Sequence, residues 1–197
     1  MEIIKGTSCI DPFSVDIDLV EGAMPAATRR TIRNASAMRG HYADRAAFER
    51  LVAAGDPLHY EVFEVPVPEE YGHLMFCISK LQPGIVGDEY FMTKGHYHTV
   101  RQTGEIYLCL RGAGFMLMKT ENGSFHAEPM ERGKMVYVPP YWAHRSVNTG
   151  NEPLVSYCVY NAEAGHNYGD IETEGFLKRV MRGPSGPVII EDSKWKK

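Results

Sequence analysis

The chain has few cysteines, no cationic stripe and no long apolar run, and each lack removes a class of function. Its four cysteines, Cys9, Cys77, Cys109 and Cys158, are spread over 197 residues without a C-x-x-C pair. Neither a zinc ribbon nor a thioredoxin-like redox centre is therefore encoded. Three of the four fall in apolar, strand-like runs, where a reduced thiol packs like a small hydrophobe. With 21 basic against 25 acidic residues and a formal net charge of -4, the chain lacks the basic surface of a nucleic-acid binder, so the expected partner is a small molecule and not a nucleic acid. No segment approaches the ~18 apolar residues of a membrane span. The opening Met1-Glu2-Ile3-Ile4-Lys5-Gly6-Thr7 also lacks the basic-then-apolar order of a secretion signal. No membrane partner and a cytoplasmic location are expected. Internal repeats, coiled-coil heptads and low-complexity tracts are absent too.

The composition fits one domain with one core: 197 residues, 44% of them apolar, are enough for a single buried interior and too few for two ordinary ones. Residues 1–57 read as an N-terminal arm and a helix packing on the rest of the chain. Asp44 is placed to cap a helical run over 45–54, Gly55 before Asp56-Pro57 ends it, and Phe48, Leu51 and Val52 share one face. From residue 58 the texture changes to short runs of Val, Ile, Tyr and Phe punctuated by Gly and Pro. Candidate strands are 58–65, 73–81, 89–93, 95–99, 105–110, 115–120, 135–138, 144–148 and 154–160. That spacing predicts an all-β, antiparallel barrel or double sheet over 58–197, with a C-terminal extension. Glu121-Asn122-Gly123-Ser124 is the clearest hairpin turn. Gly112-Ala113-Gly114 reads as a tight turn and not a nucleotide loop, having no third Gly and no helix after it. The basic tail at residues 194–197 reads as solvated.

The chemistry begins at His96-Tyr97-His98. In extended chain, side chains alternate with period two, so both imidazoles point to one side and can share an ion. Glu105 heads the apolar run Ile106-Tyr107-Leu108-Cys109-Leu110 and can turn a carboxylate back toward the pair. His144 comes after Lys134-Met135-Val136-Tyr137-Val138 and the break at Pro139-Pro140, and can close the site. Three imidazoles and one carboxylate suit first-row divalent ions such as iron, zinc, nickel or manganese. An isolated His-x-His is usually coincidence, so context has to carry the assignment. His41, His59, His73 and His126 have no partner at ligand spacing and read as packing or surface residues. Beside the metal pair, Thr93-Lys94-Gly95 offers a hydroxyl, an ammonium and an approachable backbone N–H, the groups that receive an anion.

That context is a resemblance. Glu105 followed after six residues by Gly112, and Gly133 followed by Pro139, His144 and Asn148, resemble the two motifs of the cupin superfamily. The chain departs from the general pattern in three places. The gap from His98 to Glu105 is long, Tyr90 stands where the first motif would open with Gly, and Tyr141 replaces a Gly expected after Pro139. With those departures, Thr93-Lys94-Gly95-His96-Tyr97-His98, Val136-Tyr137-Val138-Pro139-Pro140-Tyr141-Trp142-Ala143-His144-Arg145 and Ala164-Gly165-His166-Asn167-Tyr168-Gly169 are similar to the cupin-type glucose-6-phosphate isomerases of archaea and some bacteria. The likeness runs from about residue 60 to the C-terminal tail.

The resemblance implies a cupin fold and one divalent ion per subunit on His96, His98, Glu105 and His144. Fe2+ stands first for that ion, with Ni2+, Mn2+ or Zn2+ as alternatives. It further implies a phosphosugar substrate interconverted between glucose 6-phosphate and fructose 6-phosphate, and a homodimer formed through the arm and a sheet edge. The phosphate would be held by Tyr60, Ser79, Thr93 and Gly95, where Ser79 stands in place of a Thr found in a member of the family and keeps the hydroxyl. Tyr107 and Tyr160 would line the sugar pocket, and His166 and Tyr168 would help open the ring or hold sugar hydroxyls. Glu105 is the candidate for carrying a proton between C1 and C2 through a cis-enediol, with a direct hydride shift as the competing route. An iron dioxygenase and a non-catalytic phosphosugar-binding cupin remain alternatives, since fold does not fix chemistry.

Overall fold

In a computed structural model that describes residues 7–193, runs of β-branched and aromatic residues bounded by Gly and Pro form thirteen strands. The expectations for residues 1–6 and for the tail at 194–197 lie outside the described residues. In chain order the strands are β1 (Arg29–Asn34), β2 (Leu58–Glu64), β3 (Leu74–Leu81), β4 (Ile85–Val86), β5 (Glu89–Tyr90), β6 (Glu105–Arg111), β7 (Ala113–Lys119), β8 (Phe125–Glu131), β9 (Met135–Val138), β10 (Ala143–Asn148), β11 (Leu154–Asn161), β12 (Lys178–Gly183) and β13 (Gly186–Glu191). The large sheet has the order β1-β2-β3-β11-β6-β9, the facing sheet is β10-β7-β8, and a third runs β13-β12-β5-β4. All of these pairings are antiparallel. The all-β, antiparallel cupin architecture expected from the sequence is the one observed.

The main core lies between the large sheet and the facing sheet. Met116 and Met118 of β7 share one buried cluster with Tyr107 and Cys109 of β6 and with Leu81, Val138 and Leu154. Cys77, Cys109 and Cys158 are buried free thiols, while Cys9 is exposed. Helix α1 (Arg45–Ala53) covers one end; the Asp44 side chain accepts from the Ala47 amide at 2.8 Å, and Phe48 is the residue that the helix buries. The segment read as an arm, ahead of the expected helix, contains a strand: β1 pairs with β2 at the edge of the large sheet.

Two expected strands are shorter than the pattern suggested. Residues 89–93 and 95–99 retain a ladder only at β5, and the rest is extended chain held by single bridges, Met92 to Val147, His96 to His144 and Tyr97 to Asn167. Gly95, at φ +75°, interrupts the extended run, and the amides on either side bond to different neighbours: Thr93 to Ser146, Tyr97 to Asn167. The period-two placement of His96 and His98 survives because the break falls before both.

Candidate active site

Four possible ligands converge between the sheets. His96 and His98 lie on the bridged segment, Glu105 is the first residue of β6 and His144 the second of β10. Reciprocal backbone bonds between His96 and His144, 3.2 and 3.0 Å long, join the two sides. One ligand atom from each of the four residues lies within 4.8 Å of the others. Glu105 Oε2 stands 3.1 Å from His98 Nε2 and 3.0 Å from His144 Nε2. The buried Nε2 atoms of His96 and His144 have no partner in hydrogen-bonding geometry. A buried donor or acceptor left in that state costs about 1–3 kcal/mol. Orphaned imidazole nitrogens aimed at a shared carboxylate fit a divalent cation of the N/O-preferring kind.

His96, Glu105 and His144 also reach a cavity of about 430 Å³, within the usual range for a small-molecule site. Its walls are built by strand alternation. β2 contributes Tyr60, Val62 and Glu64, β3 Met75, Cys77 and Ser79, β11 Cys158 and Tyr160, and β6 Glu105 and Tyr107. Thr93, Lys94, Gly95, His166 and Tyr168 enter from the connecting segments. The expected substrate-side residues Tyr60, Ser79, Thr93, Gly95, Tyr107, Tyr160, His166 and Tyr168 therefore all meet in one cavity, and His98 sits behind it. His166 and Tyr168 stack with ring planes 9° apart, and the His166 ring lies 4.5 Å from that of His96.

Residues 32–191 match the family model described as Glucose-6-phosphate isomerase (GPI). The chain belongs to this glucose-6-phosphate isomerase family. A protein of that name from Thermococcus gammatolerans is 47% identical over 184 residues, covering 93% of this chain and 96% of its own. The Pyrococcus abyssi protein of the same name is 42% identical over 186 residues, covering 94% and 98%. A bacterial one, from Sinorhizobium medicae, is 38% identical over 194 residues, covering 97% and 91%.

In this member of the glucose-6-phosphate isomerase family, electrostatics suit the cluster to an ion. Burial pushes His96 well below the ordinary imidazole value, and the adjacent His144 and His166 push it further, so it is neutral and ready to ligate. Burial alone would raise the Glu105 carboxyl; contact with His144 and His98 outweighs it and holds the group well below the usual carboxylate range. Burial raises the phenols of Tyr60, Tyr107 and Tyr160, and brings Tyr168 to about 12, so all four remain protonated hydrogen-bond donors. His166 is lowered by burial and is neutral at pH 7.

Sequence reading missed several members of the site. Thr103, inside the long gap between His98 and Glu105, holds His98 Nδ1 with both its hydroxyl (2.9 Å) and its carbonyl (3.1 Å). That contact aims His98 Nε2 at the cluster, the usual outer contact of a metal-binding imidazole. Glu64 lines the cavity and accepts from the Tyr160 hydroxyl at 2.8 Å. Arg29, Thr31 and Arg33 enter from β1. The alternation Arg-x-Thr-x-Arg was the available signal, visible once 29–34 is treated as a strand with a polar inner face.

Proposed function

We propose that this protein interconverts glucose 6-phosphate and fructose 6-phosphate, with one divalent ion held by His96, His98, Glu105 and His144. The observation that carries the reading is the opening of that cluster into the same cavity as the Thr93–Gly95 turn. A phosphate at one end and the reacting carbons at the other match a linear hexose phosphate. At the turn, Thr93 Oγ1 accepts from the Ser146 amide at 3.1 Å, so its own proton is available to a phosphate oxygen. Tyr60, Ser79 and Gly95 complete the proposed phosphate subsite.

The residues share out the chemistry at the C1–C2 end of the sugar, away from the phosphate. His166 and Tyr168 hold the anomeric end, where ring opening takes a proton from O1 and returns one to O5. Glu105 takes the proton from C2 of the open-chain aldose and returns it to C1, with a cis-enediol between and a proton passing between the two oxygens. Tyr107 and Tyr160 line the sugar pocket, and Tyr160, its proton given to Glu64, offers its oxygen as an acceptor to a sugar hydroxyl. A bound divalent ion supplies electrostatic stabilisation for the negative charge that develops on O1 and O2.

Fe2+ is the first ion to test, with Ni2+, Mn2+ and Zn2+ after it. The reading extends to a cytoplasmic homodimer contacting through the N-terminal arm and a sheet edge, a role consistent with the edge position of β1 and its exposed Ile32. The deciding experiment is a coupled assay for fructose 6-phosphate formation before and after chelation. Activity should vanish with EDTA and return with added divalent ions, to a degree that depends on the ion. Full turnover by protein shown to be metal-free by elemental analysis would refute the reading.

A further inference from the structure

The cations facing the cavity differ in how they are paired. Arg29 lies 2.9 Å from Glu69, and Lys94 lies 3.1 Å from Glu172. Arg33 has no carboxylate within ion-pair distance among the described residues, and its Nε is buried without a hydrogen-bond partner. A guanidinium held that way is short of an acceptor, and its planar fork matches the oxygens of a phosphate.

Strand β1 sets its placement. Alternation puts Arg29, Thr31 and Arg33 on the cavity face, and the register sets Arg33 opposite Tyr60 and Thr31 opposite Val62. The register then shifts between Arg33 and Asn34, the kind of edge irregularity that re-aims a side chain. The chain just beyond the shift is pinned, with the Ala35 amide donating to the Pro57 carbonyl at 2.8 Å and the Ser36 amide and hydroxyl donating to Asp56 at 2.6 and 2.7 Å. The Arg33 guanidinium and the Lys94 backbone both act on the Tyr60 hydroxyl, opposing the upward push of burial on that phenol. Arg33, Tyr60 and the Thr93–Gly95 turn therefore form one end of the cavity. The nearby acid Glu64 is no competitor: it stands opposite Arg29 in the register and is engaged by Tyr160.

We propose that Arg33 directly contacts the phosphate of the substrate and is the specificity-determining cation of the pocket. The inference rests on the reading of Tyr60, Ser79, Thr93 and Gly95 as a phosphate subsite. A sugar phosphate carries nearly two negative charges at neutral pH, and hydroxyls and amides alone would leave them uncompensated.

The test is steady-state kinetics of the metal-loaded enzyme on fructose 6-phosphate, with inorganic phosphate as a competing anion, for Arg33→Ala, Arg33→Lys and Thr93→Ala. Arg33→Ala should raise both KM and the phosphate inhibition constant by about 10- to 100-fold, more than it lowers kcat. Arg33→Lys should fall between it and the parent, keeping the charge but losing the fork. If both constants stay within twofold of the parent in Arg33→Ala while Thr93→Ala raises them, the subsite stands and the Arg33 inference is overturned. If Arg33→Ala raises them and Thr93→Ala does not, Arg33 holds the anion and the subsite is centred on β1. If neither variant moves the phosphate constant, both claims fall. Arg33→Lys, with its charge and length retained, guards against an Ala variant that does not fold.

Discussion

Gly95 passes so close to Arg145 that a Cβ at position 95 would stand 2.9 Å from the Cβ of Arg145 and 3.2 Å from the carbonyl oxygen of His144. Strand β10 alternates here, sending His144 to the His/Glu cluster and Arg145 to the opposite side, where it donates to the Lys94 carbonyl and lies over the Phe176 ring at 4.8 Å. The turn proposed to hold phosphate is thus clamped from behind by the neighbour of a proposed ligand. At φ +75°, Gly95→Ala adds backbone strain of about 1–3 kcal/mol, and the Arg145 and His144 contacts oblige the turn to move. Chemical denaturation should register that loss. Because displacements near 1 Å at a positioned site cost about 10²-fold, kcat/KM should fall by a comparable factor. An Ala variant with parental stability and kinetics would show that the turn has room to give.

The His/Glu cluster was legible because each candidate ligand announces itself locally: a period-two His pair, a Glu heading an apolar strand, a His after a proline break. Element boundaries were less so where function or edge position overrides the apolar pattern. β1 reads as Arg-Arg-Thr-Ile-Arg-Asn because its inward face lines a polar cavity and not the core. β8 carries Pro129, which argues against a central strand; it is an edge strand, where a missing amide is tolerated. The β12–β13 hairpin had a turn signal in Gly183-Pro184-Ser185-Gly186, but its first strand, Lys-Arg-Val-Met-Arg-Gly, is mostly polar or small. Thr103 carries no mark in the sequence beyond its place in an unusually long gap.

That gap supplies the second prediction. The Thr103 hydroxyl lies 2.9 Å from His98 Nδ1, and Thr103→Val removes it while keeping the shape of the side chain. Losing one of the two outer contacts to His98 Nδ1, with the Thr103 carbonyl still in place, should weaken metal binding by about 10-fold, the low end of the effect of removing such a contact. Competition with a chelator of known affinity should show that shift, and activity should recover at high metal concentration. Weakened activity that extra metal does not restore would place Thr103 outside the metal's support.

Acid should destabilise the fold through His59, which is not part of the His/Glu cluster. Its ring is fully buried, 4.0 Å from the Phe91 ring centre, with Nε2 at 2.8 Å from the Tyr42 hydroxyl and 3.1 Å from the Met92 carbonyl oxygen. Nδ1 has no partner, so protonation would bury a charge and an unmatched N–H. Burial lowers the group from 6.5 to about 4. Between those values the unfolded chain binds the extra proton and the folded chain does not. The stabilisation is therefore full above pH 6.5 and is lost as pH falls toward 4, by about 3 kcal/mol in total. Urea titrations from pH 7 to 4.5 should show the slope, and His59→Gln should flatten it. Equal slopes in the two proteins would assign the acid sensitivity elsewhere.

Glu105 decides between proton transfer and hydride shift. Its carboxylate lies within 3.1 Å of two imidazole nitrogens and lines the substrate cavity, so one group is asked both to ligate and to carry a proton. Glu105→Gln keeps the size and a carbonyl oxygen but removes the charge and the capacity to accept a proton. If Glu105 is the base, kcat should fall by about 10²- to 10⁴-fold in protein that elemental analysis shows still binds metal, so rate and metal content separate. Turnover by the parent enzyme in D2O provides an independent reading, because a proton held on a carboxylate exchanges with solvent whereas a hydride passing directly from carbon to carbon does not. Deuterium at C1 of fructose 6-phosphate formed from glucose 6-phosphate is the expected product. Near-normal turnover by metal-replete Glu105→Gln, together with product free of solvent deuterium, would remove the base assignment and leave Glu105 as a ligand alone.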